Sequence, residues 1–489
     1  MIGQLVPKKQ GLFRLLQILP AAFLGLLSAI IAVKFVNSFA SITTAYLLIG
    51  ILGILVFGPI LYRIARHSLD IAEPGIWFAV YYFTHFGVRA IYDIVFGSLV
   101  LGFGPESVNF DLVNTALGVS IIGFLAFWTG YHMFVGKAFA NSLAVLPRNW
   151  SLNRALCAAI FCVVLGWSFR AFLVYYQAGG IGAWLKANKY IVLAQAQGTM
   201  YLSILSSLST VGWLIFFILA RVFKKRKYRF LFTLFFVPDL AFQFASGSRA
   251  QFIFLLLMLL IALYMTSKRN YKTNIRYTCG AAVLITLFIF LFPFFSLIRG
   301  GIRNLEEIFV QTLNFWQSSK ELFYLIGSRQ VGLDSLAIVV DCVPKEEPYT
   351  LGSELTLVGI AWIPRKIWPD KPVVSLGKIF YERFYPPIFH EGTSVAITLP
   401  GEFYWAFGLI GVIIGMLVIG ILWRLLFEYL VRPKGNLSNI LVTSFMFPSF
   451  FVLAEQTLVS LLTMHLLQFI MIVIITLAIH RRTVEKGVA

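Results

Sequence analysis

Long apolar runs dominate this chain. They occupy residues 15–36, 43–62, 74–96, 113–135, 155–176, 199–220, 229–246, 250–266 and 277–298 and, after a long interval, 402–423, 437–454 and 457–479. Each approaches the length an α-helix needs to cross a hydrocarbon core of about 30 Å, with 229–246 and 250–266 at the short end. The pattern predicts an all-α polytopic membrane protein with about twelve transmembrane helices and no soluble domain. The first run has a basic flank like a signal peptide's. It exceeds the usual apolar region of about 7–15 residues, so it reads as a membrane anchor.

The polar residues between the runs assign the sides. Lys8, Lys9 and Arg14 precede the first run. Alternate connections then carry Arg63 and Arg66, Arg148 and Arg154, Lys224 to Lys227, Lys268 to Arg276, Arg432 and Lys434, and finally Arg481 and Arg482. The short connections on the other side hold few basic residues, among them Lys186 and Lys189. Basic residues mark cytoplasmic loops, so both termini are expected in the cytoplasm. Composition agrees with lipid as the main solvent: 59% of the 489 residues are hydrophobic and only 12% are charged, against roughly 25% charged in soluble domains. The net charge of +19 is then a topology signal, and nucleic acid is not an expected partner.

One interval departs from the helix and short-loop pattern. Residues 299–395 form a large outer loop between transmembrane helices 1–9 (residues 1–298) and a C-terminal part (residues 396–489) with the last three helices and a cytoplasmic tail. The loop collects acidic residues such as Glu306, Asp334, Asp341 and Glu382. Loops this long are functional or disordered; Trp316, Trp362, Trp368 and Phe380 argue for order. Residues 304–326 carry apolar side chains at helical spacing and predict an amphipathic helix. Pro364, Pro369 and Pro372 make 364–372 a fixed turn, expected to be held by Trp362 and Trp368. A smaller outer loop, 177–198, reads as a short polar helix or a solvated connection. With Cys342 the one cysteine outside the helices and their edges, no disulfide framework is expected.

Candidate chemistry gathers at the outer boundary. Arg249 lies in Gly247-Ser248-Arg249-Ala250, Arg299 and Arg303 flank Gly300-Gly301, and Arg365 follows Pro364. A cation there breaks the positive-inside tendency and, within the membrane, carries a desolvation cost that function often explains. The guanidinium fork suits bidentate phosphate binding, and adjacent glycines let backbone N–H groups approach an anion. The plainer alternative is snorkelling to headgroups or pairing with loop carboxylates. His390 and Glu391, just before the chain re-enters the membrane, and Glu402 in Leu399-Pro400-Gly401-Glu402 are candidates to take a proton from a sugar hydroxyl. Glu402 could instead complement a helix dipole. Arg89, with His85 and Asp93 one turn away on either side, suggests local ion pairing. Asp239 and Glu455 must be paired or face a cavity, with structural pairing favoured for both. No metal-ligand spacing and no phosphate-binding loop for ATP occur, so no metal site and no cofactor are expected.

Gly247-Ser248-Arg249, the Arg299-to-Arg303 helix exit, Pro364-Arg365 with Trp368-Pro369-Asp370-Lys371-Pro372, and Gly401-Glu402-Phe403-Tyr404 before Phe407-Gly408 together resemble the O-antigen polymerase family, the Wzy-type oligosaccharide repeat-unit polymerases. The short motifs lie within 245–410; the first six helices match only in hydropathy. The resemblance implies a membrane-embedded, metal-independent glycosyltransferase of GT-C type at the outer face of the bacterial inner membrane. Its substrate would be an undecaprenyl-pyrophosphate-linked oligosaccharide, delivered by a flippase and used together with a chain-length regulator. The growing glycan would pass to the non-reducing end of the incoming unit. Carried over by position, Arg249 and Arg365 match family arginines and Glu402 a family carboxylate. An O-antigen ligase and a lipid-linked oligosaccharide flippase or transporter are the alternatives. Transporters show two related halves and midplane sites, whereas here the long loop belongs to the second half alone.

Overall fold

The computed structural model describes residues 42–96, 109–186, 200–267, 271–299, 327–361, 367–385 and 394–480, with residue 363 and scattered positions between 306 and 324. The expected helix at 15–36 lies outside the described residues. Those described are helical, with one isolated bridge between Trp150 and His480. Among the described residues, six helices are long and apolar enough to cross a membrane: Ile42–Ala65, Phe110–His132, Leu152–Ala178, Tyr201–Phe223, Leu399–Val431 and Leu458–Ile479. Arg249–Met265 and Leu437–Val452 are apolar but shorter, and Ile275–Leu287 is an apolar stretch of the helix Tyr271–Arg299. The run at 74–96 forms one rod in which Pro74–Phe83 and Arg89–Phe96 are joined by a π-turn, Thr84–Val88.

Glycine sets how closely these helices pack. Lipid tails are as apolar as leucine, so helices associate in membranes through close packing over small residues. Phe110–His132 lies along Leu399–Leu426, and a Cβ on Gly130 would run into the Leu417 carbonyl, one on Gly420 into the Phe127 carbonyl. Leu152–Ala178 and Leu208–Phe223 meet the same way, with Gly166 against the backbone of Ser209 and Gly212 against the Ala159 carbonyl. Outward faces present Ile54, Phe161, Val237 and Ile414, all exposed, as a lipid-facing surface should.

The basic connections gather at one end. Arg63 pairs with Glu73 at 2.5 Å, and Tyr131 donates to the same carboxylate at 2.8 Å. Tyr429 donates to the Ala144 carbonyl, Asn436 to that of Leu146, Ser438 to that of Pro147, and Arg154 to that of His480. Connections that carry Arg63, Arg148 and Arg432 therefore share an end with the close of the last helix, as their charge predicts.

At the opposite end the long loop is built into the bundle. Its helices Gly332–Cys342, Thr356–Ala361 and Leu376–Phe384 are separate short segments. Leu333, Leu336 and Ala337 join the main core, while Val343, Leu376 and Phe380 form a second one with Ile397 and Trp405. A buried ion cluster fixes the first helix. Arg89 donates from Nε and Nη2 to Asp334 at 2.9 and 2.6 Å, from Nη1 to the Gly327 carbonyl at 3.1 Å, and lies 3.0 Å from Asp93. The expected helix at 304–326 falls largely outside the described residues.

Two sequence expectations need amending. Of the turn at 364–372, residues 364–366 lie outside the described residues, as does Trp362; Trp368 is exposed, and Lys371 Nζ donates to the carbonyls of Ala361 and Ile363 at 2.9 and 2.8 Å. An ammonium group satisfies two carbonyls that a tryptophan cannot. In the smaller loop, Ile181–Lys186 is helical and Trp184 is buried, stacked on Phe242 with centroids 4.9 Å apart. That segment is anchored, and residues 187–199 lie outside the described residues.

Candidate functional site

At this same end the last two helices turn back on each other. Leu437–Val452 stops, residues 453–457 are non-helical, and Leu458–Ile479 returns. Leu453 and Ala454 are fully buried, while Glu455, Gln456 and Thr457 line a cavity of about 700 Å³. The opposite wall comes from the long loop, through Ile363, Lys371, Ser375, Lys378 and Ser394, and Tyr201 joins from a third element. Tyr201 ties that wall down by donating to the Ala361 carbonyl at 2.8 Å.

The turn is satisfied locally. The Thr457 hydroxyl accepts from Ser460 N at 3.1 Å, an N-cap for the returning helix. Glu402 completes the cap from another helix, its Oε2 accepting from Leu458 N at 2.5 Å. A further π-turn, Leu461–His465, presents Thr463 to the cavity, and His465 meets Gln456 Oε1 at 2.6 Å. Inserted turns of this kind recur at functional sites.

Behind Glu455 stands the π-turn of the 74–96 rod. Tyr81 Oη donates to Glu455 Oε2 at 2.6 Å, and His85 Nε2 lies 3.6 Å from the same oxygen. His85 is buried, with neither ring nitrogen hydrogen-bonded among the described residues. Gly332 lets the loop helix start directly against it, since a Cβ there would lie 2.9 Å from His85 Cβ.

The residues singled out in the sequence fall into three groups. Glu402 is buried at the cavity's edge as the cap just described. Arg249 opens the helix Arg249–Met265 after a turn in which Gly247 has φ +66°, and is buried; it is not among the cavity-lining residues. Arg299 ends the helix Tyr271–Arg299. Arg303, Arg365, His390 and Glu391 lie outside the described residues, although Ile363 and Ser394, two and three residues from Arg365 and Glu391, line the cavity. Arg89 pairs with Asp93 as its spacing suggests, while its stronger partner, Asp334, comes from the loop. His85 faces Glu455. Asp239 is structural, accepting from Arg170, Thr210 and Trp213. Glu455, favoured from sequence as a structural pair, is paired with Tyr81 and His85 and also lines the cavity; its visible signal was a carboxylate inside an apolar run. Among the described residues no group of three or more His, Cys, Asp or Glu side chains could hold a metal ion. Burial, then Glu346 and Asp341, push the Cys342 thiol up to about 11, so it stays protonated and unreactive.

An all-helical membrane protein with a cavity of mixed polar and apolar lining, between the turn at 453–457 and a docked loop, is thereby defined. The profile of the O-antigen polysaccharide polymerase Wzy family matches residues 18–486, nearly the whole length, and the chain belongs to that family of polysaccharide polymerases. No curated protein and no solved structure matches it.

Proposed function

We propose that the protein polymerises undecaprenyl-pyrophosphate-linked oligosaccharide repeat units into O-antigen or a related surface polysaccharide, at the outer face of the inner membrane. The family match along the chain carries this reading, and a sugar-sized cavity at the end opposite the basic connections supports it. In this reading the chain crosses the membrane about twelve times in a GT-C-type arrangement, on the hydropathy count above. Both termini are cytoplasmic, and residues 299–395 are the periplasmic part.

At that face no nucleotide sugar is available, so the donor must carry its own leaving group. Lipid pyrophosphate does. The acceptor hydroxyl, at the non-reducing end of the incoming unit, attacks the anomeric carbon of the growing glycan. The bond from that carbon to pyrophosphate oxygen breaks, and its electron pair stays on the lipid pyrophosphate. Arg249, Arg299, Arg303 and Arg365 are proposed to neutralise that charge, so the reaction needs no metal ion. Glu402, His390 and Glu391 are the sequence candidates for receiving the hydroxyl proton. A flippase would supply the substrate, and a chain-length regulator would limit the product.

The test uses purified protein, a synthetic undecaprenyl-pyrophosphate repeat unit from the source organism, and a gel. A glycan ladder in the presence of chelator, abolished in Arg249→Ala or Arg365→Ala, is the expected result. Labelled lipid crossing a liposome membrane without any ladder would move the assignment to a flippase, and transfer confined to lipid A core would move it to a ligase.

A further inference from the structure

The geometry points to Glu455 as the group that takes the proton from the acceptor hydroxyl, with Tyr81 as its positioning residue; this rests on the polymerase reading above. Glu455 sits in the turn at 453–457 and its side chain is 34% exposed, whereas the surrounding Leu453, Ala454 and Val459 are buried. It is the one carboxylate among the described residues that line the cavity. Its two oxygens are differentiated. Oε2 accepts the 2.6 Å bond from Tyr81 and lies 3.6 Å from His85, while Oε1 has no hydrogen bond among the described residues. A fixed carboxylate with one uncommitted oxygen in a sugar-sized cavity is what a general base requires.

The other buried carboxylates at this end are committed. Glu402 Oε2 caps Leu458 N, Glu354 accepts from Thr350, and Asp93 and Asp334 are held on Arg89. Lys371, on the facing wall, donates to two carbonyls, and the ion-pair partner of Glu455 is His85. In the transfer step the acceptor O–H proton passes to Glu455 Oε1 as the new glycosidic bond forms. The electron pair of the cleaved anomeric bond leaves on pyrophosphate, so no further reactant is needed. His85, buried behind the carboxylate with unpartnered ring nitrogens, is a second acceptor for that proton between cycles.

The experiment measures a single transfer between two synthetic lipid-pyrophosphate-linked repeat units, using the full chain in nanodiscs. Wild-type protein must first form product; if it forms none, the polymerase reading fails and this inference with it. With product from the wild type, Glu455→Gln is expected to lower kcat by about 10² to 10⁴. KM for the acceptor and the unfolding temperature should hold, since glutamine still accepts from Tyr81. Glu455→Asp should recover part of the rate, and Tyr81→Phe should lower kcat by about tenfold at constant KM. A Glu455→Gln rate within fivefold of wild type would overturn the assignment. So would loss of rate that tracks loss of thermal stability and is not recovered by aspartate, or a covalent glycan on Glu455 in the intact mass spectrum.

Discussion

Replacing Asp334 with alanine should release the loop helix Gly332–Cys342 from the bundle. Asp334 and Arg89 are 1% and 2% exposed, and two charge-assisted hydrogen bonds join them at 2.9 and 2.6 Å. Removing one partner of such a buried pair costs about 3–5 kcal/mol, because the remaining charge stays desolvated. Asp93, 3.0 Å from the same guanidinium, still neutralises it, which places the cost near the lower bound, about 3 kcal/mol. At about 1.4 kcal/mol per factor of ten, the local opening equilibrium shifts by roughly a hundredfold. Hydrogen exchange by mass spectrometry in nanodiscs reads this directly. Amides of 333–342 should exchange about a hundredfold faster in Asp334→Ala, while those of Leu152–Ala178 keep their wild-type rate. An Arg89→Met, Asp93→Leu, Asp334→Leu triple variant should regain most of the protection, since apolar side chains at all three positions leave no desolvated charge. Unchanged exchange in Asp334→Ala, or a triple variant as unprotected as the single, would refute the clamp.

Three further outcomes follow from the packing. Asp239→Ala strands Arg170 in the bundle interior and should cost about 3–5 kcal/mol, seen as a lower unfolding temperature by the fluorescence of Trp213, a donor to Asp239. Gly420→Ala pushes a methyl group into the Phe127 carbonyl and should cost about 1–3 kcal/mol through overpacking, measured as reduced folded yield in detergent; Gly58→Ala, with nothing within 4 Å of the added carbon, is the control. Glu402→Ala removes the acceptor of Leu458 N and should cost about 1–3 kcal/mol, whereas Glu402→Gln keeps an acceptor oxygen and stays near wild type in thermal unfolding.

Hydropathy located the long apolar helices among the described residues, because such a segment satisfies its backbone internally and can show lipid an apolar face; it did not locate the short helices Phe134–Ser142, Gly332–Cys342 and Leu376–Phe384. The pairing of Arg89 with Asp93 was equally legible, being four residues apart on one helix. What escaped was non-local. Asp334 is 245 residues from Arg89, and nothing in its neighbourhood distinguishes it from the loop's other acidic residues. Glu455 and Tyr81 are 374 residues apart, so the division of the last apolar stretch into runs 437–454 and 457–479 placed the turn but not its partner. Lys371 looked like one more loop cation, yet its ammonium group binds the carbonyls of Ala361 and Ile363.

The glycine contact between Phe110–His132 and Leu399–Leu426 also bears on how the protein is made. Gly420 follows Gly130 by 290 residues (420 − 130). At a synthesis rate of about 5–20 residues per second, the earlier helix waits roughly 15–60 s in the bilayer before its partner emerges. Throughout that interval the groove at Gly130 faces lipid or an insertion factor. Nascent chains stalled before residue 399 should therefore display the faces of Gly123 and Gly130 to cross-linkers, and release of the following helix should close them in a single late step of assembly.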